Sequence, residues 1–374
     1  MKILLINSIC GTGSTGRICA DLADRFTAEG HQVRIAYGRD GFVPENARPY
    51  AVRIGSDLGV RLHGIRARLL DGQGFGSKAA TRAFLRWADR YQPDLVWLHN
   101  IHGYYLHVEM LFDWIKSRPE MEVRWTLHDC WSFTGRCSHF SYVGCDRWQT
   151  GCGNCPQKEH YPATFTDRSH LGYQRKKAAF TGVQHMTLFT PSQWLADRVK
   201  QSFLGCYPVQ VQYNTVNTDV FKPTPGDFRQ RLGLADKIIV LGAASTWDRY
   251  KGLYDFHKLR QLLDDSYAIV LVGLTEAQQK ELPTGILGLP RTHSQQELAE
   301  IYTAADVFVN PSYEETFGLT AVEARACGTE AIVYQNTACE EIVDRLGGIA
   351  VPQDVDALAQ AIRDVARRQE KETL

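Results

Sequence analysis

The chain has 374 residues, too many for one ordinary hydrophobic core and suited to two domains. Lys plus Arg and Asp plus Glu balance at 42 each, so no charge excess points to nucleic acid. The first apolar run, Ile3 to Ile6, is far too short for a signal segment or membrane span, and no later run approaches ~18 apolar residues. A cytoplasmic protein is expected.

Strand-length apolar runs alternate with amphipathic helical stretches, the pattern of a doubly wound α/β protein. The first predicted strand, Ile3–Ile6, leads into Gly11-Thr12-Gly13-Ser14-Thr15-Gly16, formally G-x-G-x-x-G at a helix start. Backbone N–H groups at such a start can hold a phosphate. Yet four residues, Asn7 to Cys10, separate strand from glycine. The second strand, Val33–Tyr37, runs into Gly38-Arg39-Asp40 with no acid at the position expected to hold an NAD ribose. A loop facing phosphate or substrate through Gly13, Ser14, Thr15 and Gly16 is therefore preferred over a dinucleotide site or a plain turn.

From Arg61 to Arg90 the chain is basic, with Arg61, Arg66, Arg68, Lys78, Arg82, Arg86 and Arg90 against Asp71 and Asp89. Leu62, Ile65, Leu69, Leu70, Phe75, Phe84, Leu85 and Trp87 are interleaved. Two readings stay open: solvated helices, or an interfacial surface drawn to anionic lipid. Strands at Leu95–Leu98 and Val123–Leu127 end in His99-Asn100-Ile101-His102 and in His128. His99 and His102 are candidates for acceptor contacts, set against capping or core roles.

Residues 130–160 form a Gly-rich insertion carrying Cys137, Cys145, Cys152 and Cys155. Cys152-Gly153-Asn154-Cys155 could present two thiolates to one structural zinc, with the other pair closing a tetrahedral site. Such a site would fold a segment read as poor in apolar residues. Disulfides and unliganded thiols are the alternatives.

A strand at Thr187–Thr190 closes the first half, and the break between halves falls near 192–224. Val209–Tyr213, Ile238–Gly242, Ile269–Val272, Val307–Asn310 and Ala331–Tyr334 are the strands assigned to the second half. Ser294-Gln295-Gln296-Glu297 is a capping box before a helix over Glu297–Ala304. Val355, Leu358, Ile362 and Val365 mark one face of a last helix.

The most informative stretch is Asn310-Pro311-Ser312-Tyr313-Glu314-Glu315-Thr316-Phe317-Gly318-Leu319-Thr320-Ala321-Val322-Glu323-Ala324. A strand ends, a short loop turns, and a helix starts near Gly318. Backbone donors of Phe317, Gly318 and Leu319 can face a diphosphate, helped by the helix dipole. Glu315 sits at the loop's mouth. Glu323 follows ~7.5 Å along the helix axis, placed to grip ribose hydroxyls.

This stretch resembles the Glu-x7-Glu region of family 4 glycosyltransferases, which have the GT-B fold. Thr190-Pro191-Ser192-Gln193-Trp194-Leu195 and Asn214 to Pro223 resemble the family's interdomain segment, and Asp248-Arg249-Tyr250-Lys251-Gly252 its basic phosphate-binding turn. Asn7-Ser8 through Thr15-Gly16-Arg17-Ile18, with Thr126-Leu127-His128-Asp129-Cys130-Trp131, is similar to the bacterial exopolysaccharide branch, colanic-acid-type enzymes included. Two departures stand out. The family's usual Gly-Arg-Leu before the basic turn is replaced by Gly242-Ala243-Ala244, and its Gly-Thr-Pro by Gly328-Thr329-Glu330.

The resemblance implies two Rossmann-like doubly wound parallel-sheet domains facing a cleft. Residues 1–205 would be the acceptor side, 206–354 the nucleotide-sugar domain, and 355–374 a helix packing back on the first. It also implies retention of anomeric configuration, no catalytic metal, and a leaving phosphate that helps to deprotonate the acceptor. Lys251 and Arg249 would meet the diphosphate charge, Glu315 would position sugar hydroxyls, and His128 would lie near the reacting carbon. The expected partners are a nucleotide-diphosphate sugar, a saccharide or polyprenyl-linked acceptor, and an anionic membrane surface on the cytoplasmic side. Competing readings are a GT-B hydrolase or epimerase, a sugar-nucleotide-binding regulator and, more distantly, an NAD(P) oxidoreductase.

Overall fold

A computed structural model describes every residue except Asp40 and Leu374, together with the side chains of all but Glu370, Glu372 and Thr373 among the rest. Asp40, which follows the second predicted strand, thus lies outside the described residues. The chain divides into two compact units, Met1–Gln212 and Tyr213–Leu374.

The first unit contains β1 (Lys2–Ile6), α1 (Gly13–Ala28), β2 (Gln32–Tyr37), β3 (Ala51–Arg53), α2 (Asp57–Leu70), α3 (Lys78–Tyr91) and β4 (Leu95–Leu98). It continues through α4 (Val108–Lys116), β5 (Glu122–Thr126), α5 (Ser169–Phe180), β6 (Met186–Thr190), α6 (Gln193–Gln201) and β7 (Val209–Val211). The seven strands form one parallel sheet in the order β3-β2-β1-β4-β5-β6-β7. Leu4, Leu5, Ile6, Val96 and Leu98 have no exposed surface, because helices cover both faces of its centre. That double burial is why β1 and β4 read as continuous apolar runs. The three-residue β3 lacks such a run, and no strand was expected there. Val209–Val211, assigned from sequence to the second half, instead pairs with β6 at the edge of this sheet.

The second unit contains α7 (Phe228–Arg231), β8 (Ile238–Ala243), α8 (Leu253–Leu262), β9 (Tyr267–Val272), α9 (Glu276–Lys280), β10 (Ile286–Leu289) and α10 (Gln295–Ala304). Then come β11 (Val307–Asn310), α11 (Leu319–Ala326), β12 (Glu330–Tyr334), α12 (Ala338–Leu346), β13 (Ile349–Val351) and α13 (Val355–Thr373). Six parallel strands follow the order β10-β9-β8-β11-β12-β13. The edge strands β10 and β13 are the ones the sequence patterns did not reveal. Ser294 caps α10, its Oγ accepting from the Glu297 N–H at 3.1 Å. In α13 the predicted stripe is inward, with Leu358 and Ile362 fully buried. Within its own unit that helix packs on α8, β11, β12 and β13.

In each sheet the strand order reverses once, between β1 and β4 and between β8 and β11. In open α/β sheets ligands bind beyond the C-terminal strand ends at such a switch point. The two switch points therefore select the loops after Ile6 and Leu98 in one unit, and after Ala243 and Asn310 in the other.

Candidate donor and acceptor sites

At the switch point of the second unit, β8 leads to a turn over Arg249–Lys251, and β11 leads to the loop 311–318. The Asp248 carboxylate accepts from the N–H groups of Tyr250 at 2.8 Å and Lys251 at 3.0 Å, which fixes the turn. Gly252 is needed where it stands: its φ is +72°, and a Cβ would lie 2.3 Å from the Pro311 carbonyl oxygen. The Tyr313 N–H donates to the Tyr250 carbonyl at 2.8 Å, so turn and loop are one construction.

Within it the Lys251 ammonium pairs with the Glu315 carboxylate. Burial pushes Lys251 down, but Glu315 outweighs it and holds the ammonium above its ordinary range. The pair keeps 30% and 19% of its side-chain surface exposed, enough for a ligand to reach it. Arg249 donates to its neighbour's phenol, Tyr250, at 2.8 Å, with its guanidinium over the same ring.

Gly318, in the left-handed region at φ +89°, caps α11. A Cβ there would meet Cys339 Sγ at 2.4 Å. Phe317 is buried behind it, while Leu319 and Thr320 are half-exposed at the helix start. Glu323, the expected ribose contact, lies on α11. It is only 5% exposed and accepts from the Tyr302 hydroxyl at 3.1 Å. Tyr302, on α10, was not singled out from sequence, because a lone tyrosine in a helix carries no signal.

At the first unit's switch point Asn7 ties the loops together. Its amide donates to the Ile9 carbonyl at 2.9 Å, and its oxygen accepts from the Asn100 N–H at 3.1 Å. Ser14 is exposed and Gly13 and Thr15 half-exposed at the start of α1. Gly16 is buried, with space for a Cβ limited by Ile9 Cγ1 at 3.1 Å, so it serves close packing.

The histidines beyond β4 and β5 come together. His99 Nδ1 and His128 Nε2 are 3.0 Å apart, with their rings stacked at 5.3 Å. Burial keeps both neutral, pushing His128 down to about 4 and His99 well below its usual value. His102 Nε2 faces the Asp129 carboxylate at 2.9 Å. Asp129 was named only as part of the His-Asp motif, yet it is the charged member of this cluster.

The expectation of zinc at the cysteine-rich segment finds no support among the described residues. The four thiols line one small cavity, but among the described residues no three His, Cys, Asp or Glu side chains are gathered to hold a metal ion. Burial pushes the Cys137 thiol up to about 12 and the Cys152 thiol up to about 11. Nor is the segment poor in core. Trp131, Phe133, Phe140 and Trp148 are all buried, with the Phe140 and Trp148 rings stacked at 4.7 Å.

Both units are doubly wound, and known structures share the arrangement. Sucrose-phosphate synthase of Thermosynechococcus elongatus superposes with a TM-score of 0.70 at 19% identity, covering 98% of this chain and 90% of that one. HepE of Anabaena, solved with UDP-glucose, gives 0.64 at 17% identity over 99% and 91%. The fold is therefore that of the GT-B glycosyltransferases. The model of Glycosyltransferase Family 4 matches residues 15–220, more than half of the chain, and that of Glycosyl transferases group 1 matches 227–373. The chain belongs to glycosyltransferase family 4. A full-length relative is WcaC of Escherichia coli K12, described as a colanic acid biosynthesis glycosyl transferase, with 25% identity over 95% of this chain and 88% of its own length. A D-inositol 3-phosphate glycosyltransferase of Stackebrandtia nassauensis is 36% identical over 31% of each chain.

Proposed function

We propose that the protein transfers a hexose from a nucleoside-diphosphate sugar to a saccharide or lipid-linked acceptor during assembly of a bacterial surface polysaccharide. Anomeric configuration is retained and no metal takes part in the chemistry. The observation that carries the reading is the Lys251–Glu315 pair, held by the Asp248-capped turn at the switch point of the second sheet. A fixed ammonium there meets the charge that grows on a departing diphosphate, while the adjoining carboxylate accepts from sugar hydroxyls. HepE, a neighbour in fold, was solved with UDP-glucose, and WcaC is described as a colanic acid enzyme, which favours a UDP-hexose and a polysaccharide product.

A panel of nucleotide sugars tested by thermal shift checks the donor. A true donor at 100 times its dissociation constant stabilises by ~2.7 kcal/mol, and the increment grows with concentration. Nucleotide release must then depend on added acceptor. Binding without any release would instead indicate a regulator, and release indifferent to acceptor a hydrolase.

One surface favours a lipid-linked acceptor. On α2, Leu58, Leu62, Ile65 and Leu69 follow one another by four, three and four residues, which puts them on one face. They are between 50% and 66% exposed, and Phe165 beside the helix end is 65% exposed. Arg61, Arg66 and Arg68 are exposed on the same helix. By contrast Phe75, Phe84 and Leu85, counted from sequence in the same stretch, are buried in the core. The interfacial face proposed is therefore that of α2, and anionic vesicles should recruit the protein less as salt rises. Leu62→Glu with Ile65→Glu should abolish co-sedimentation. Equal recovery with neutral and anionic vesicles would refute this docking.

A further inference from the structure

Where α8 leaves the Lys251 turn, three polar side chains from separate elements meet. Asp255, in the first turn of α8, is 5% exposed, and its Oδ2 accepts from the hydroxyls of Tyr313 and Tyr334, each at 2.8 Å. Tyr334 ends β12 and is fully buried, and the two phenol rings pack edge to face with centroids 5.4 Å apart. Taking a carboxylate out of water is costly, and the two phenols are the donors that offset it. Burial and the neighbouring anion push the Tyr334 hydroxyl far above its ordinary range, so it remains a donor.

This cluster touches the donor machinery at two places. The Asp255 N–H donates at 3.0 Å to the carbonyl of Gly252, the residue that follows Lys251 and begins α8. Tyr313 stands in the loop just ahead of Glu314 and Glu315, and its own N–H already reaches the Tyr250 carbonyl at 2.8 Å. Asp255 thereby joins the element that carries the ammonium to the element that carries its carboxylate partner. Apolar side chains of similar size would fill the same volume without burying a charge. What they would lack is direction: two hydrogen bonds to one oxygen hold the loop at one setting relative to α8.

We propose that Asp255 is a positioning residue of the donor site, acting through the Tyr313 hydroxyl to hold Glu315 where it pairs with Lys251. The inference rests on the transferase reading above and adds to it side chains that touch no substrate. Tyr334 anchors the same carboxylate from the sheet, outside the loop. A loop released from Asp255 spends part of its time away from the competent setting. Apparent donor affinity then falls by the competent fraction, while bound donor restores the setting and saturated turnover is kept.

The test compares wild type, Tyr313→Phe, Tyr334→Phe and Asp255→Asn, with UDP-glucose or the nucleotide sugar that the thermal-shift panel selects. Each Phe variant deletes one hydroxyl from the same carboxylate oxygen, so both should melt lower than wild type. Only Tyr313 belongs to the loop. Its Phe variant should raise donor Kd and KM by about 3–10-fold and keep kcat within about two-fold. Tyr334→Phe should keep Kd, KM and kcat all within about two-fold of wild type.

Asp255→Asn should raise donor KM in the same direction as Tyr313→Phe. Adding Tyr313→Phe to Asp255→Asn should then raise it by less than Tyr313→Phe does alone, because both act through one contact. If Asp255→Asn fails to fold, the two Phe variants decide. Wild-type donor KM in folded Tyr313→Phe, or an equal rise in Tyr334→Phe, would overturn the positioning role and leave the transferase reading standing. A wild type that binds no nucleotide sugar would overturn both.

Discussion

Lys251→Ala should reduce turnover by about 10²–10³-fold while leaving the melting temperature close to wild type. The expected size follows from losing one preorganised charge-assisted contact, ~3–4 kcal/mol, to a diphosphate whose charge grows in the transition state. The turn itself should survive, because Asp248 fixes it through backbone N–H groups and not through the lysine side chain. Removing the ammonium leaves Glu315 without its partner, so part of the loss will be repulsion between that carboxylate and the phosphates. Lys251→Ala with Glu315→Gln should therefore recover some donor affinity but little turnover. Glu323→Ala should behave differently. A ribose contact would be equal in ground and transition states, so donor KM rises and kcat holds. Since Glu323 is buried and bonded to Tyr302, that variant should also melt lower. Nucleotide release with UDP-glucose and an acceptor extract, measured for folded variants, separates these effects. Wild-type turnover by Lys251→Ala together with wild-type donor KM for Glu323→Ala would remove this site from the chemistry.

The class of fold was legible because the central strands are buried on both faces. Ile3 to Ile6 and Leu95 to Leu98 must be apolar at every position, and such runs cannot be mistaken for surface. The edge strands β3, β10 and β13 have short pairings and mixed burial, so their sequences resemble loops. The same distinction holds at the sites. Asp248 to Gly252 and Glu315 to Glu323 are read locally, because their geometry is set within a few residues by caps and a helix start. What escaped the sequence was contact across the sheet end. The pairing of His102 with Asp129, 27 positions later, depends on β4 and β5 lying side by side. The cysteines misled for a related reason. The segment reads as poor in apolar residues, whereas its own Phe133, Phe140 and Trp148 meet across the loop to form a buried core.

That core depends on one buried ion pair, and Asp71→Asn should destabilise the first unit by about 3–5 kcal/mol. Asp71 ends α2 in the left-handed region at φ +50°, a conformation asparagine tolerates as well as aspartate. The backbone is thus unstrained by the change, and the effect combines the lost charge with one lost acceptor, since Asp71 Oδ2 also accepts from the Arg168 N–H at 2.8 Å. Asp71 Oδ1 accepts from Arg136 Nε at 2.8 Å, with 4% and 3% of the two side chains exposed. Arg136 also donates to the carbonyls of Gln157 and Pro162, stitching residues 136–162 into one loop. Without the carboxylate, a guanidinium remains buried among carbonyl dipoles that cannot neutralise it. At ~2–4 °C per kcal/mol for a unit of this size, the melting transition should fall by roughly 6–20 °C. Arg136→Met in the Asp71→Asn background should restore part of the loss, because it removes the stranded charge and keeps an unbranched apolar stem. Donor binding by the second unit should persist in every variant that remains folded. A shift smaller than about 2 °C for Asp71→Asn would mean that water reaches the guanidinium, and that the aromatic cluster of Phe133, Phe140 and Trp148 alone holds the segment.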